Sequence, residues 1–240
     1  MTGEPVAAEP VVGQRVTGER TVVAIDGPAG SGKSSVSRES AKILGFDYQD
    51  SGAAYRALAW FALEAGLDVS DPKALVGALE GFDYQKSVDP DDCQVRVGGV
   101  DVTQAIRDPR VSAAVSAVAQ VPEVRQHLVE RFRAVIETSQ RPGIITEGRD
   151  ITTVVWPNAQ TRILLTASEE ARMARRSAEL PSESTAVVAN TLSSRDAQDS
   201  RVVDFTNAAD GVTTLDSTDL DFDQTVQAVV ALVRRATSKP

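Results

Sequence analysis

Apolar residues follow two different periods along this chain. Residues 21–25 form a continuous β-branched run, which is typical of a strand buried on both faces of a parallel sheet. Further short apolar runs, each predicted to be a strand, occupy residues 143–146, 162–166 and 212–215. Segments with helical periodicity occupy residues 34–44, 53–65, 72–79, 111–119, 124–138 and 222–235. Strands that alternate with helices predict a three-layer α/β/α fold with a parallel central sheet.

The pattern changes between residues 82 and 102. Alternating apolar and polar positions at 94–97 lead into Gly98 and Gly99, and a second short alternating run follows at 100–102. A pair of glycines between two such runs indicates a two-residue β-hairpin. We therefore expect a small antiparallel insert in this region.

Residues 168–203 are rich in arginine. Ser168 is a candidate N-cap for a helix that carries Arg172, Arg175 and Arg176, and a polar break at 181–185 separates it from a second helical stretch. This pattern predicts a mobile helical lid, although arginine-rich surface helices are also common. At the other end of the chain, residues 1–20 show no periodicity and predict a disordered leader.

Composition narrows the class of protein. The 240 residues are 42% hydrophobic and 25% charged, as in an ordinary globular domain, and the net charge of −9 argues against a nucleic-acid partner. No apolar run approaches the roughly 18 residues that span a bilayer, and no signal peptide is evident, so we expect a cytoplasmic monomer without a membrane partner. One cysteine, Cys93, and one histidine, His127, exclude an internal disulfide and a zinc cluster of these residue types.

A glycine-rich loop joins the first predicted strand to the first predicted helix. Residues 27–34 match G-x-x-x-x-G-K-[ST] in full. Glycines allow backbone N–H groups to point at phosphate oxygens, and the helix N-terminus adds its positive dipole. Lys33 is expected to contact the β- and γ-phosphates of ATP, and Ser34 to bind Mg²⁺. The expected ATP-binding residues are Gly27, Pro28, Ala29, Gly30, Ser31, Gly32, Lys33, Ser34 and Ser35.

Two other polar segments are each expected to follow the carboxyl end of a strand. Ser51 and Arg56 begin the second helical unit, and Arg149 with Asp150 follows the strand at 143–146. Ligands bind at the carboxyl ends of strands in open α/β sheets, and guanidinium groups suit phosphate. These residues predict an arginine-lined pocket beside the phosphate loop. A helix cap with a surface arginine, and a structural ion pair of Arg149, remain alternatives.

With these motifs, the chain resembles the bacterial cytidylate (CMP) kinases from residue 21 to about residue 235. The matching segments are residues 25–33, 50–56, 147–150, 153–157 and 195–199. The resemblance implies a P-loop enzyme that transfers the γ-phosphoryl group of ATP to CMP or dCMP, with Lys33, Arg149 and Arg195 as catalytic residues. It also implies acceptor binding by Ser51, Arg56, Ser116, Arg125, Arg149, Asp150, Arg195 and Asp199.

The expected organisation is a single kinase domain at residues 21–240. Its parts are a core at 21–50, 140–170 and 211–240, a nucleoside-monophosphate-binding region at about 51–139, and the lid at about 171–203. Departures from the family pattern lie mainly in the lid, where Arg201 comes one residue early after Asp199 and residues 204–206 replace a Ser-Pro-Leu-like stretch. Thr152, two residues after Asp150, also occupies a position that is often glycine in that family.

The expected reaction is in-line attack of a CMP phosphate oxygen on the γ-phosphorus of MgATP. That oxygen is already anionic, so positioning and charge neutralisation do most of the work. Alternatives are a kinase for UMP, dTMP or a non-nucleotide acceptor, and a nucleotide-binding protein without activity. A regulatory GTPase is a further alternative, but residues 207–210 lack the lysine of the guanine-binding Asn-Lys-x-Asp motif.

Overall fold

The computed structural model describes residues 20–179 and 185–238. Apart from Arg20 and Thr185, the predicted leader and the predicted polar break lie outside these residues. The strands are β1 Thr21–Asp26, β2 Asp47–Asp50, β3 Tyr84–Lys86, β4 Val95–Val97, β5 Val100–Asp101, β6 Gly143–Gly148, β7 Thr161–Thr166 and β8 Thr213–Asp216. The helices are α1 Lys33–Leu44, α2 Ser51–Glu64, α3 Pro72–Ala78, α4 Pro109–Gln120, α5 Pro122–Thr138, α6 Glu169–Glu179, α7 Thr185–Asp199 and α8 Phe222–Thr237.

A parallel sheet separates two layers of helices. Within the described residues its strand order is β2-β6-β1-β7-β8. Alternate residues of β1 face opposite layers, with Val22 and Ala24 packing among α2, α4 and α5, and Val23 and Ile25 packing against α1 and α8. Because both faces of β1 are covered, its run of apolar residues is continuous. The three-layer α/β/α prediction is confirmed.

The predicted insert is a small antiparallel sheet of β3, β4 and β5. Gly98 and Gly99 connect β4 to β5 with φ angles of 55° and 79°. Both angles lie in the left-handed region, which glycine adopts without steric cost. The two-residue hairpin is therefore confirmed.

The edge strand β2 is buried although three of its four residues are polar. Asp47 accepts a hydrogen bond from the Ser139 hydroxyl at 2.6 Å, and Gln49 accepts one from the Thr146 hydroxyl at 3.0 Å. Buried polar groups with hydrogen-bond partners avoid most of the cost of lost hydration. Consequently, the hydrophobic pattern alone does not reveal this strand.

A five-residue π-helical segment, Ile151–Val155, follows Asp150 directly. The sequence pattern does not predict this element, since single π turns have no distinctive period. Ser168 does act as a cap, because its hydroxyl accepts a hydrogen bond from the Ala171 amide at 3.2 Å. None of the helices in the described part of the chain is long and apolar enough to cross a bilayer.

Candidate active site

The carboxyl ends of three adjacent strands carry the predicted site residues. In the sheet, β6 lies between β2 and β1, so that Asp50 pairs in register with Glu147, and Asp26 with Gly148. The loops that leave these strands therefore emerge side by side. Residues that are distant in the chain meet at this edge of the sheet.

The phosphate loop runs from Gly27 to Gly32, between β1 and α1. Gly30 and Gly32 have φ angles of 77° and 85°, and Gly32 occupies the N-cap of α1 without a side-chain cap. The first amides of α1 therefore point toward the loop, where an anion would satisfy them. The Lys33 ammonium group is buried beside the loop and donates to the Pro28 carbonyl at 3.2 Å.

Glu147 lies directly behind the phosphate loop. It is 2% exposed, and its Oε1 accepts hydrogen bonds from the Ser34 hydroxyl at 2.7 Å and the Tyr48 hydroxyl at 3.4 Å. Mg²⁺ prefers oxygen ligands such as hydroxyl and carboxylate groups. Ser34 and Glu147 therefore form a donor set that fits a magnesium ion.

Glu147 and Asp50 form a buried carboxylate pair. Burial, reinforced by the negative charge of Asp50, raises the pKa of Glu147 to about 7. Burial also raises the pKa of Asp50, but the positive charges of Arg56 and Lys86 outweigh that effect and leave it below its ordinary value. Close carboxylates disfavour joint ionisation, and the pKa values of the two groups are accordingly displaced in opposite directions.

The start of α2 brings a cation to the same edge. Asp50 caps the helix by accepting a hydrogen bond from the Ala53 amide at 3.0 Å, and Arg56 donates to the other oxygen of Asp50 at 3.1 Å. The Ser51 hydroxyl donates to the Glu147 carbonyl at 2.8 Å. This network joins the first turn of α2 to β6 and fixes the Arg56 guanidinium group.

Arg149 contacts the end of α7 and the segment that follows it. Its Nε donates to Asp199, at the end of α7, at 3.2 Å, and its guanidinium carbon lies 5.2 Å from the centroid of the Phe205 ring. The other oxygen of Asp199 accepts a hydrogen bond from Ser116, on α4, at 3.1 Å. A neighbouring ion pair joins Arg125, on α5, to Asp150.

Helices α6 and α7, which the sequence predicts to form a lid, contact the phosphate loop at Ala29. Arg172 donates to the Ala29 carbonyl at 2.9 Å and forms an ion pair with Asp196, whose Oδ1 accepts a hydrogen bond from the Ala29 amide at 3.0 Å. Leu192 and Met173 pack against the Ala29 side chain. Both polar groups of one loop residue are therefore bound by α6 and α7.

A cavity of about 660 Å³ joins the loop to the arginines. From the loop side it is lined by Ala29, Gly30, Gly32, Lys33, Ser34 and Ser35. From the other side it is lined by Ser51, Arg56, Ser116, Arg125, Arg149, Asp150 and Asp199. Its volume is that of a small-molecule site.

The model of the family described as cytidylate kinase matches residues 23–235 of the chain. The chain belongs to this family. Cytidylate kinases of Streptomyces avermitilis and Cutibacterium acnes are 43% and 45% identical to it over 213 and 214 residues. Each match covers 88% of this chain, and 92% and 95% of the respective relatives.

A third relative, the cytidylate kinase of Streptomyces coelicolor, is 42% identical over 223 residues, which cover 92% of this chain and 96% of the relative. Among solved structures, a shikimate kinase from Acinetobacter baumannii has a TM-score of 0.44 and 12% identity, covering 92% of this chain and 96% of that one. A similarity that low does not bear on function.

Most residues that the cytidylate kinase resemblance singled out lie together at the cavity. Three of the predicted loop residues are not among those that line it. Gly27 packs so closely that a Cβ would lie 2.2 Å from the Leu165 carbonyl oxygen. The Pro28 carbonyl accepts a hydrogen bond from the Lys33 ammonium group. The buried Ser31 hydroxyl has no hydrogen-bond partner among the described residues.

The arginines of the predicted lid differ in where their side chains lie. Arg176 lines the cavity, whereas Arg175 donates to the Ser31 carbonyl at 3.2 Å and to Ser217. Arg201, which follows α7, is exposed. Arg195 belongs to α7, but its side chain lies outside the described part of the structure.

Several residues that line the cavity were not predicted from the sequence. Lys86 on β3, Arg38 on α1 and Arg107 before α4 all line the cavity, and Arg38 donates to the Cys93 sulfur at 2.7 Å. No motif marks these positions. Alternation along a strand indicates that one face of it points toward the protein interior, and this is the only signal that could have placed Lys86 of β3 on the inner face.

Proposed function

We propose that this protein is an ATP:(d)CMP phosphotransferase that converts CMP or dCMP and ATP into CDP or dCDP and ADP. The observation that carries the proposal is the shared cavity, in which a phosphate loop faces an arginine-lined second half. Membership of the cytidylate kinase family supports the choice of CMP as acceptor.

The loop half of the cavity suits a nucleoside triphosphate. Backbone amides between Gly30 and Ser35 and the Lys33 ammonium group are the donors that would hold its phosphates. Ser34 and Glu147 would hold Mg²⁺, which neutralises phosphate charge when bound. The buried Ser31 hydroxyl, which lacks a partner among the described residues, is a further donor on the loop.

The arginine half suits a nucleoside monophosphate. Arg56 and Arg149 would bind the acceptor phosphate, because guanidinium groups match phosphate geometry. Ser51, Ser116, Arg125, Asp150 and Asp199 supply further donors and acceptors for the base and sugar, with Arg195 added from the lid. These residues orient an oxygen that is already anionic, so the site requires no strong general base.

Closure of α6 and α7 completes the site. The contacts of Arg172 and Asp196 with Ala29 hold the lid helices against the loop. A closed lid excludes water and so favours transfer to the acceptor over hydrolysis.

An acceptor panel tests this function. ADP release is measured by a coupled assay with MgATP and CMP, dCMP, UMP or dTMP. We expect the highest kcat/KM with CMP or dCMP. A higher value with UMP or dTMP would assign a different acceptor, nucleotide binding without product would indicate an inactive protein, and tight GDP binding would support a GTPase.

A further inference from the structure

A buried carboxylate fixes the turn that follows β6. Asp26, the last residue of β1, accepts the Ile151 amide through Oδ1 at 2.8 Å. Its Oδ2 accepts the Thr152 amide at 2.8 Å and the Thr152 hydroxyl at 2.6 Å. Asp26 and Thr152 are 3% and 4% exposed, so these bonds replace hydration that the carboxylate has lost.

Asp26 lies at the junction of the two halves of the cavity. The next residue, Gly27, begins the phosphate loop, and Asp26 pairs in register with Gly148 of β6. The π-helical segment that Asp26 holds begins immediately after Arg149 and Asp150. One side chain therefore connects the base of the phosphate loop to the turn that carries two predicted acceptor residues.

The far end of the π-helical segment is also held. Arg133, on α5, donates to the Val154 carbonyl at 2.7 Å and to the Val155 carbonyl at 3.0 Å. Short π segments occur often at functional sites. With both ends anchored, this segment can transmit a small displacement at Thr152 to Arg149.

The hydrogen bond from the Thr152 hydroxyl stabilises the charged form of the buried Asp26 carboxylate. Burial raises the pKa of Asp26, while the hydrogen bonds from Thr152 and Ile151 act in the opposite direction. Each donor thus stabilises the charged carboxylate, and removal of one leaves a less satisfied buried charge.

We propose that Asp26 and Thr152 are a positioning pair that sets the placement of Arg149 and Asp150 relative to the phosphate loop. Neither member of the pair lines the cavity, and the proposed role rests on the proposed function. Misplacement of a positioned group by about 1 Å can reduce a rate about a hundredfold. Loss of the hydrogen bond between the Thr152 hydroxyl and the Asp26 carboxylate should therefore impair the use of CMP more than the accompanying loss of stability would explain.

Thr152→Val tests the pair, because it keeps the shape of the side chain and removes the hydroxyl. We expect kcat/KM for CMP to fall by about tenfold or more, and CMP affinity measured by calorimetry without ATP to weaken. ATP affinity should stay within about twofold of wild type, since the loop itself is unchanged. Thr152→Ser keeps the hydroxyl and should restore near-wild-type values.

Ser139→Ala is the matched control. It removes a comparable buried bond, from the Ser139 hydroxyl to Asp47 at 2.6 Å, at the start of β2 and away from the cavity. We expect a similar loss of thermal stability with unchanged CMP kinetics. If Thr152→Val matches Ser139→Ala in kinetics and CMP affinity, the positioning role is refuted. If the wild-type protein phosphorylates no CMP, the proposed function fails instead.

Discussion

At the scale of single residues, three of the arginines that line the cavity are each paired with an aspartate. The pairs are Arg56–Asp50, Arg125–Asp150 and Arg149–Asp199. Buried charges require such partners, because an unpaired ion loses its hydration without compensation. The pairs also fix the guanidinium groups before a phosphate arrives, so less side-chain entropy is lost on binding.

Arg56→Ala should weaken the use of CMP more than the use of ATP. Charge-assisted hydrogen bonds contribute roughly 1.5–3 kcal/mol, so we expect KM for CMP to rise about 10- to 100-fold. The helix cap from Asp50 to Ala53 does not need the arginine, so α2 should persist. Steady-state kinetics with each substrate varied in turn provide the measurement.

Arg110→Ala serves as its control. Arg110 forms an exposed ion pair with Glu64 on the surface of α4 and α2. Exposed pairs contribute little, so both KM values should remain unchanged. An equal rise of both KM values in Arg56→Ala would mean that the acceptor pocket has been misassigned.

At the scale of elements, helices α6 and α7 bind the phosphate loop mainly at Ala29, and Arg175 of α6 adds a hydrogen bond to the Ser31 carbonyl. Asp196 and Arg172 engage the amide and the carbonyl of Ala29. If these helices act as the proposed lid, this attachment is expected to shield the loop from water, with Arg176 lining the cavity. The same contacts give the loop a defined conformation.

Asp196→Ala should loosen this attachment. We expect KM for ATP to rise about tenfold, which corresponds to about 1.4 kcal/mol, and ADP release without CMP to increase relative to transfer. Ser193→Ala is the control, since the Ser193 hydroxyl makes an exposed hydrogen bond to Glu169, away from Ala29. Unchanged ATP kinetics in Asp196→Ala would show that the lid does not act through Ala29.

Elements differ in how far the sequence predicts them. The continuous apolar run of β1 and the periodic α8 carry strong patterns because packing on neighbouring layers determines their residues. The bounds of β2 could not be predicted in this way, since Asp47 and Gln49 are buried through hydrogen bonds to distant residues. The π-helical segment likewise depends on Asp26 and Arg133, which are remote in the chain.

At the scale of the molecule, an acidic protein concentrates cations in one cavity. The net charge is −9, yet the cavity is lined by Lys33, Lys86 and several arginines. Asp50, Glu147, Asp150 and Asp199 also line it, but basic side chains outnumber acidic ones, and an excess of positive charge in a cleft attracts ligands of opposite sign. We therefore expect nucleoside phosphates to be attracted to this cavity more than to the rest of the acidic surface.

The meeting of the two halves of the site was predictable, because motifs at strand ends share one edge of a parallel sheet. The presence of Lys86 and Arg38 in the cavity was not predictable, because these side chains reach it only when the insert and α1 have packed against the rest of the fold. The chain also gives no signal for Phe205, which becomes buried beneath Arg149. The contacts of Asp196 with the loop depend on the docking of the lid in the same way.

The most direct test of the central claim is the simultaneous measurement of ADP and CDP formed from MgATP and CMP by the wild-type protein and by Lys33→Ala. We predict equal amounts of both products for wild type, and a rate lower by about a hundredfold or more in the folded variant, because its buried ammonium group no longer neutralises charge at the loop. ADP without CDP in the wild type, or wild-type turnover in Lys33→Ala, would contradict the claim that the loop and the arginine pocket jointly transfer a phosphoryl group.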